Sequence, residues 1–205
     1  LAAKTLLKFG SEEQRQRFLP DIRLMNLLWA EGLSEPNAGS DLASLQTKAV
    51  REGDDWVISG QKIWITWAHR CDVLYLAART DPDAPKHKGI SIFCLPLRSP
   101  GVTLQYFPNI GNGLQSQIFL DDVRLKPDML IGEVNKGWYY ITNAFYGGAP
   151  SGMEWAKYKR AFDDLVHFSK ENSHNGRPFS EDPFIRDRLV ELGMGFEVLK
   201  LQEYE

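Results

Sequence analysis

The sequence has few cysteines, no excess of positive charge and no long apolar run. Its two cysteines, Cys71 and Cys94, lack C-x-x-C spacing and fit free thiols in a reducing compartment. A net charge of −3 argues against nucleic acid as the main partner. No stretch approaches the about 18 apolar residues of a transmembrane helix, so we expect no membrane span. The four histidines lack metal-ligand spacing, so we expect no metal site.

What the sequence does contain is enough apolar material for a packed core. The chain has 205 residues, of which 43% are hydrophobic and 12% aromatic, which suits one or two folded domains. Leu1 begins inside a helical pattern, and another helical pattern is incomplete at Glu205. We therefore expect the chain to be part of a longer polypeptide, whose N-terminal targeting signal would lie outside this sequence.

The hydrophobic pattern changes twice along the chain. Residues 1–28 have a helical pattern, in which Ser11 and Gln14 are spaced as a capping box for a helix that ends at about Pro20. From Thr47 to Arg124, short β-prone runs alternate with turn residues and leave no room for crossover helices. These runs are residues 48–51, 56–59, 63–66, 73–78, 90–97, 102–107 and 117–120, with Gly60-Gln61 as one of the breaks. The pattern predicts an antiparallel barrel or sandwich rather than a parallel nucleotide-binding sheet.

After Gly132 the pattern returns to that of helices. Apolar residues recur at helical spacing in two groups, Tyr158, Phe162, Leu165 and Val166, then Ile185, Leu189, Leu192, Phe196 and Leu199. The second group is typical of a helix buried in a bundle. The sequence thus predicts an α+β protein with three segments: residues 1–28 helical, 29–132 β, and 133–205 the start of a helical bundle.

Two short segments carry the functional signal. Residues 29–46 have the composition of a long polar loop, and within it residues 34–41 read Ser-Glu-Pro-Asn-Ala-Gly-Ser-Asp. The backbone N–H groups of such a turn-forming stretch can cradle phosphate or flavin oxygens. Residues 62–66, Lys-Ile-Trp-Ile-Thr, alternate like a strand and place an indole beside a hydroxyl. Taken alone, Ser40 fits a turn hydroxyl that bonds its own backbone, and Trp64 fits a core residue.

Together these two segments resemble the flavin-contacting signature of the acyl-CoA dehydrogenase family. Thr-Asp-Pro-Asp-Ala-Pro at 80–85 and Phe-Leu-Asp-Asp-Val-Arg-Leu at 119–125 extend the resemblance, which covers essentially the whole chain. It implies the end of an N-terminal helical domain, a whole β-domain and the beginning of a truncated four-helix bundle. The implied activity is the FAD-dependent α,β-dehydrogenation of an acyl-CoA thioester, in which a carboxylate abstracts a proton and flavin N5 receives a hydride.

The resemblance also implies roles for individual residues. The implied cofactor-binding set is Leu33, Ser34, Gly39, Ser40, Trp64, Ile65 and Thr66. Ser34 would hydrogen-bond the pyrimidine edge of the flavin, and the Thr66 hydroxyl would face its N5 region. The Trp64 indole would pack beside the isoalloxazine. Ser40 would lie where the flavin meets the coenzyme A portion of the substrate, and is therefore also the expected substrate-binding residue.

No catalytic residue is assigned, because neither family position for the base provides a carboxylate within this sequence. One position is late in the final bundle, beyond Glu205, and the other falls at Asn143–Tyr146. We therefore expect the base outside this chain, and the 205-residue chain alone to be inactive. The alternatives are a non-catalytic partner subunit, or a flavin oxidase or monooxygenase with the same fold.

The resemblance further implies partners and a location. The electron acceptor would be a protein such as electron-transfer flavoprotein. The oligomer would be a homo- or hetero-oligomer, either a dimer or a tetramer. The location would be the bacterial cytoplasm or the mitochondrial matrix.

Overall fold

A computed structural model of the chain describes residues 1–111, 113–146 and 154–204. Residues 147–153 and 205 of the predicted bundle segment lie outside these ranges. The chain divides into two compact units, residues 1–147 and residues 148–205. Unit 1 contains two N-terminal helices, an eight-stranded sheet and a third helix, and unit 2 contains two long helices.

Helices α1 (Ala2–Phe9) and α2 (Glu12–Leu24) open unit 1. The predicted capping box is confirmed: Ser11 Oγ accepts from Gln14 N at 3.2 Å, and Ser11 N donates to Gln14 Oε1 at 3.1 Å. The predicted end at Pro20 is wrong, because α2 continues to Leu24 with Pro20 inside it. Gln16, whose carbonyl loses its helical donor at Pro20, is exposed, so water can satisfy that oxygen.

The middle of unit 1 is a mixed sheet in which most pairings are antiparallel, as predicted. Its strands are β1 (Trp29–Gly32), β2 (Lys48–Glu52), β3 (Asp55–Thr66), β4 (Val73–Arg79), β5 (Ile90–Pro96), β6 (Val102–Pro108), β7 (Leu114–Leu125) and β8 (Leu130–Ile131). The strand order is β6-β7-β3-β2-β4-β5-β8, and β1 also pairs with β4. The predicted break at Gly60-Gln61 is wrong: β3 continues through it, with register shifts between Ile58 and Gly60 and between Lys62 and Ile65.

Strand β1 corrects the expectation that residues 29–46 are entirely loop. Trp29–Gly32 pairs in parallel with residues 73–76 of β4, and Lys48 of β2 pairs in parallel with Arg79 at the other end of β4. Because β5 occupies the opposite edge of β4, β1 and β2 share one edge. The chain between them, residues 33–47, therefore leaves and rejoins the sheet along the same edge.

The core of unit 1 lies between the sheet and the helices around it. Strands β4 and β5 are buried on both faces, and Tyr75 is fully buried with its hydroxyl 3.0 Å from Thr5 Oγ1 of α1. Helix α3 (Gly137–Tyr146) packs on α1 through stacked rings of Phe9 and Tyr140, whose centroids are 4.2 Å apart. These contacts fix the rigid frame behind the 33–47 loop.

Unit 2 consists of α4 (Glu154–Glu171) and α5 (Pro183–Tyr204), linked through a short hairpin of β9 (Ser173–His174) and β10 (Arg177–Pro178). The two helices meet where the rings of Phe162 and Phe196 lie 5.2 Å apart. Of the predicted α5 seam, Leu192 is 47% exposed and the other members are partly buried. Among the described helices of either unit, none has the length and apolarity that crossing a membrane requires.

Candidate functional site

The structure brings the two signature segments together. Ile63 N donates to Ser34 O at 3.0 Å, and Lys62 Nζ donates to Leu33 O at 3.0 Å. The start of the 33–47 loop is thus held against β3, immediately before Trp64. Two segments about thirty residues apart in sequence are thus joined by one backbone bond and one side-chain bond.

A buried ion pair underlies this junction. Lys62 is fully buried and its Nζ lies 2.8 Å from Glu35 Oε1. Glu35 also accepts from Thr47 N at 2.9 Å and from Gln46 N at 2.7 Å. Burial lowers the pKa of the Lys62 ammonium to about 8, and the charge of Glu35 offsets only part of that effect.

The partner carboxylate stays ionised in the same environment. Burial by itself raises the pKa of Glu35. The charge of Lys62 and the hydrogen bonds from Lys62, Thr47 and Gln46 lower it by more, so the pKa lies below its usual value. At neutral pH both groups are therefore charged, and the pair bonds backbone atoms at both ends of the 33–47 loop.

Arg79, the last residue of β4, holds the second half of the loop. Its Nη2 donates to Ala43 O at 2.6 Å and its Nε to Leu45 O at 3.0 Å. Its backbone N donates to Thr47 O at 2.7 Å. Leu45 itself is completely buried beneath these bonds. The fixed planar fork of a guanidinium suits two neighbouring carbonyl acceptors.

The tip of the loop, in contrast, faces solvent. A tight turn joins Glu35 and Ala38 by reciprocal backbone bonds of 2.9 and 3.1 Å, and Gly39 and Ser40 follow it at exposed positions. A Cβ added at Gly39 would meet no atom within 4 Å. The backbone of this stretch is therefore accessible to the oxygens of a ligand, with open space in front of it.

Trp64 is presented by a distortion of β3. It has a left-handed φ of 63°, lies in the register shift between Lys62 and Ile65, and is 62% exposed. Its indole meets Phe107 edge-on with centroids 5.2 Å apart. A bulky residue in this conformation costs about 1–3 kcal/mol and is characteristic of functional sites. In a regular strand, successive side chains alternate between the two faces of the sheet. The bulge interrupts this alternation at Trp64 and turns its large aromatic side chain outward.

The two residues after Trp64 point in different directions. Ile65 is 2% exposed and its side chain belongs to the core. Thr66 is exposed, and its Oγ1 donates to Gln115 Oε1 on β7 at 3.2 Å. Leu33, at the other segment, is likewise buried. Leu33 and Ile65 can therefore meet a ligand only through backbone atoms, whereas Trp64 and Thr66 offer side chains.

The sequence reasoning missed Lys62, Glu35 and Arg79. The first two lie inside the signature segments, but their pairing links positions 27 residues apart and cannot be derived from periodicity. An available signal was the lysine in an otherwise apolar strand pattern at 62–65. Within the described ranges, no three His, Cys, Asp or Glu side chains are grouped to hold a metal ion.

Family comparisons match most of the chain. A sequence model of the acyl-CoA dehydrogenase middle domain matches residues 30–123, and a model of the acyl-CoA dehydrogenase C-terminal domain matches residues 135–205. Acyl-CoA dehydrogenase IpdE1 of Mycobacterium tuberculosis is 36% identical over 203 residues, which are 98% of this chain and 51% of that protein.

Solved structures agree with the sequence matches. The ChsE4-ChsE5 complex from Mycobacterium tuberculosis is 31% identical with a TM-score of 0.79, over 99% of this chain and 53% of that one. Butyryl-CoA dehydrogenase from Megasphaera elsdenii is 28% identical with a TM-score of 0.81, over 100% of this chain and 55% of that one.

The fold is of the acyl-CoA dehydrogenase type, a class whose members depend on FAD. The chain belongs to the acyl-CoA dehydrogenase family. It spans about half the length of these relatives.

Proposed function

We propose that the protein containing this chain catalyses the FAD-dependent α,β-dehydrogenation of an acyl-CoA thioester. One observation carries the proposal: Ile63 N bonds Ser34 O at 3.0 Å, which joins the Ser34–Asp41 and Lys62–Thr66 segments at one exposed site. Each segment alone is a turn or a strand end. Joined at Ser34 and Ile63, they carry backbone N–H groups, hydroxyls and an indole, which are groups that can bind and orient a flavin.

The residues present fit FAD. The open space at Gly39 lets a ligand approach the backbone closely, and Ser34 and Ser40 supply hydroxyl donors. The Thr66 hydroxyl would donate to the ligand only by turning its hydrogen away from Gln115 Oε1. The exposed indole of Trp64 supplies a flat apolar surface. In this proposal Leu33, Ser34, Gly39, Ser40, Trp64, Ile65 and Thr66 hold the cofactor, with Leu33 and Ile65 acting through their backbones. When bound, FAD accepts the hydride that leaves the β-carbon of the thioester.

The chain's own residues would orient and shield the reacting groups. Trp64, whose indole is exposed, would cover one side of the ligand and exclude water from it, and Thr66 would place a hydroxyl at the strand end. Ser40, on the exposed tip of the loop, would orient the substrate near its coenzyme A portion. The α-proton of a thioester is weakly acidic, so its removal needs an aligned base. Helix α3 contains no Asp or Glu, and the proposal therefore places the base outside residues 1–205.

A second candidate is a non-catalytic subunit that needs a catalytic partner. The carboxylate-free sequence of α3 favours it, and so does the similarity to a structure titled as a complex of two proteins. In either case we propose an oligomer, homomeric or heteromeric, that passes electrons to an acceptor such as electron-transfer flavoprotein. The division into segments 1–28, 29–132 and 133–205 is part of the same proposal. The bacterial source of the relative IpdE1 favours the bacterial cytoplasm over the mitochondrial matrix.

The test uses the full-length protein, purified with added FAD. The first measurement is bound flavin by visible absorption, and the second is acyl-CoA-dependent reduction of an artificial electron acceptor with detection of the α,β-unsaturated product. Flavin with turnover supports the dehydrogenase. Flavin without turnover, followed by activity when a second family member is co-expressed, supports the partner subunit. Absence of flavin binding refutes both.

A further inference from the structure

Three charged side chains hold the 33–47 loop almost entirely through backbone atoms. Lys62 Nζ donates to Leu33 O at 3.0 Å, and Glu35 accepts from Gln46 N and Thr47 N at 2.7 and 2.9 Å. Arg79 donates to Ala43 O and Leu45 O at 2.6 and 3.0 Å. A loop of this length has many alternative conformations, and these bonds fix positions near its beginning, its middle and its end.

We propose that Lys62, Glu35 and Arg79 are positioning residues that set the shape of the 33–47 loop and thereby the affinity and electronic environment of the flavin. The inference rests on the proposed function, in which this loop holds FAD. None of the three side chains needs to touch the cofactor. Lys62 acts through the backbone of Leu33, a member of the proposed cofactor set, whereas Glu35 and Arg79 bond backbone atoms of residues 43–47 in the same loop.

Burial distinguishes this cluster from ordinary surface ion pairs. Lys62 has no exposed side-chain surface and Glu35 only 8%, whereas Lys126 and Asp55, paired at 3.0 Å, keep 73% and 23%. Apolar residues of similar volume often stabilise a core at least as well as a buried ion pair does. What apolar residues cannot supply is a set of directional bonds to chosen carbonyl and N–H groups. Because the bonds of this cluster go to a single loop, its role is to fix the conformation of that loop.

The geometry also explains how the effect reaches the cofactor site. Lys62 contacts Leu33, and the next residue, Ile63, bonds Ser34 through its backbone at 3.0 Å. The residue after that is Trp64, in the bulge. Displacing the Lys62 ammonium thus loosens the loop and the bulge at their common point, so a flavin contacted by both would change its surroundings.

The test compares Glu35→Gln, Lys62→Met and Arg79→Lys in the full-length protein. Glu35→Gln keeps the side-chain volume and one acceptor oxygen, and Arg79→Lys keeps the positive charge but loses the planar fork. The measurements are the FAD dissociation constant of the folded protein, the visible circular dichroism of bound flavin and its midpoint potential. Lys126→Met, which removes the cation of the exposed pair, is the matched control.

We expect each cluster variant to weaken FAD binding at least tenfold and to alter the visible spectrum or the potential, with Lys126→Met unchanged. The double variant Glu35→Gln/Lys62→Met should weaken FAD binding by less than the product of the two single effects, because both substitutions remove the same ion pair. If Lys62→Met does not fold, Glu35→Gln and Arg79→Lys decide the question.

Two negative outcomes are distinct. Variants that lose thermal stability but bind FAD with wild-type affinity, spectrum and potential would overturn the positioning role and leave the proposed function intact. A folded wild-type protein that binds no FAD would overturn both.

Discussion

Two turn glycines in unit 1, Gly53 and Gly101, differ in how closely another backbone approaches them. Comparing their alanine variants therefore measures how much one close backbone contact lowers the free energy of unfolding. Gly53, in the turn between β2 and β3, and Gly101, just before β6, have left-handed φ values of 62° and 88°. A Cβ at Gly53 would meet nothing within 4 Å, whereas a Cβ at Gly101 would lie 2.3 Å from Asp121 O. Gly101 O also accepts from Asp121 N at 2.9 Å, so the two backbones are already in direct contact.

Replacing each glycine by alanine should therefore have different costs. Left-handed backbone costs alanine about 1–2 kcal/mol, and the lower entropy of the unfolded chain returns about 0.4–1 kcal/mol. We expect Gly53→Ala to lower the free energy of unfolding by about 1 kcal/mol on this basis. Gly101→Ala must also separate β6 from β7 at Asp121, and overpacking of this kind adds about 1–3 kcal/mol.

The assay is equilibrium urea unfolding of both variants at the same FAD loading, followed by tryptophan fluorescence. The difference between the two variants measures the contact with Asp121 together with the extra backbone cost at Gly101, whose φ of 88° lies beyond the about 50–70° of the left-handed region. A difference below about 0.5 kcal/mol, the usual range for surface substitutions, would show that β6 moves aside without cost and would refute the reasoning.

Three further predictions concern ionisation and the site. The pKa of Lys62 is about 8 in the folded protein and 10.5 for an unperturbed lysine, so between these pH values the unfolded chain binds more protons than the folded one. Urea unfolding should therefore show the free energy of unfolding of the wild type rising relative to that of Lys62→Met from pH 8 to 10.5. A fall of the wild-type value relative to the variant over this range would contradict burial as the cause. Cys94 is fully buried and burial raises its pKa to about 12, so native-state alkylation followed by mass spectrometry should label the partly exposed Cys71 at least tenfold faster; equal rates would contradict this. Thr66→Val should shift the midpoint potential or weaken FAD binding while Thr66→Ser should not, and identical behaviour of the two variants would remove Thr66 from the site.

The elements that the sequence predicted well are those governed by local chemistry. The capping box at Ser11 and Gln14 needs only three residues of context, and each predicted β-run falls on an observed strand. These features follow from short-range hydrogen bonding and from the period-two pattern of a half-buried strand. The resemblance to a family supplied the rest of the architecture.

The features that escaped prediction depend on distant partners. Trp29–Gly32 is only four residues long and becomes a strand because β4 offers a free edge to it. Gly60 did not break β3, because the strand accommodates the irregularity by shifting register against β7. The pairing of Lys62 with Glu35 likewise depends on the folding of the loop over β3. The periodicity of a sequence does not predict such contacts, because it does not show which strand will pair with a free strand edge or which group will pair with a charged side chain.

The shared edge of β4 has a consequence for the order of assembly. Of the two strands that border the 33–47 loop, β1 joins the sheet by pairing with β4, which is synthesised after it, and β2 meets β4 at Lys48 and Arg79. Local hairpins such as β2–β3, β4–β5 and β6–β7 close short loops and form early, whereas β1 must wait for a partner more than forty residues away. The loop that we assign to the flavin is therefore among the last parts of unit 1 to become ordered, both on the ribosome and in refolding. On the proposed function, we therefore expect cofactor capture to follow completion of the sheet, and a chain interrupted before Val73 to hold no FAD.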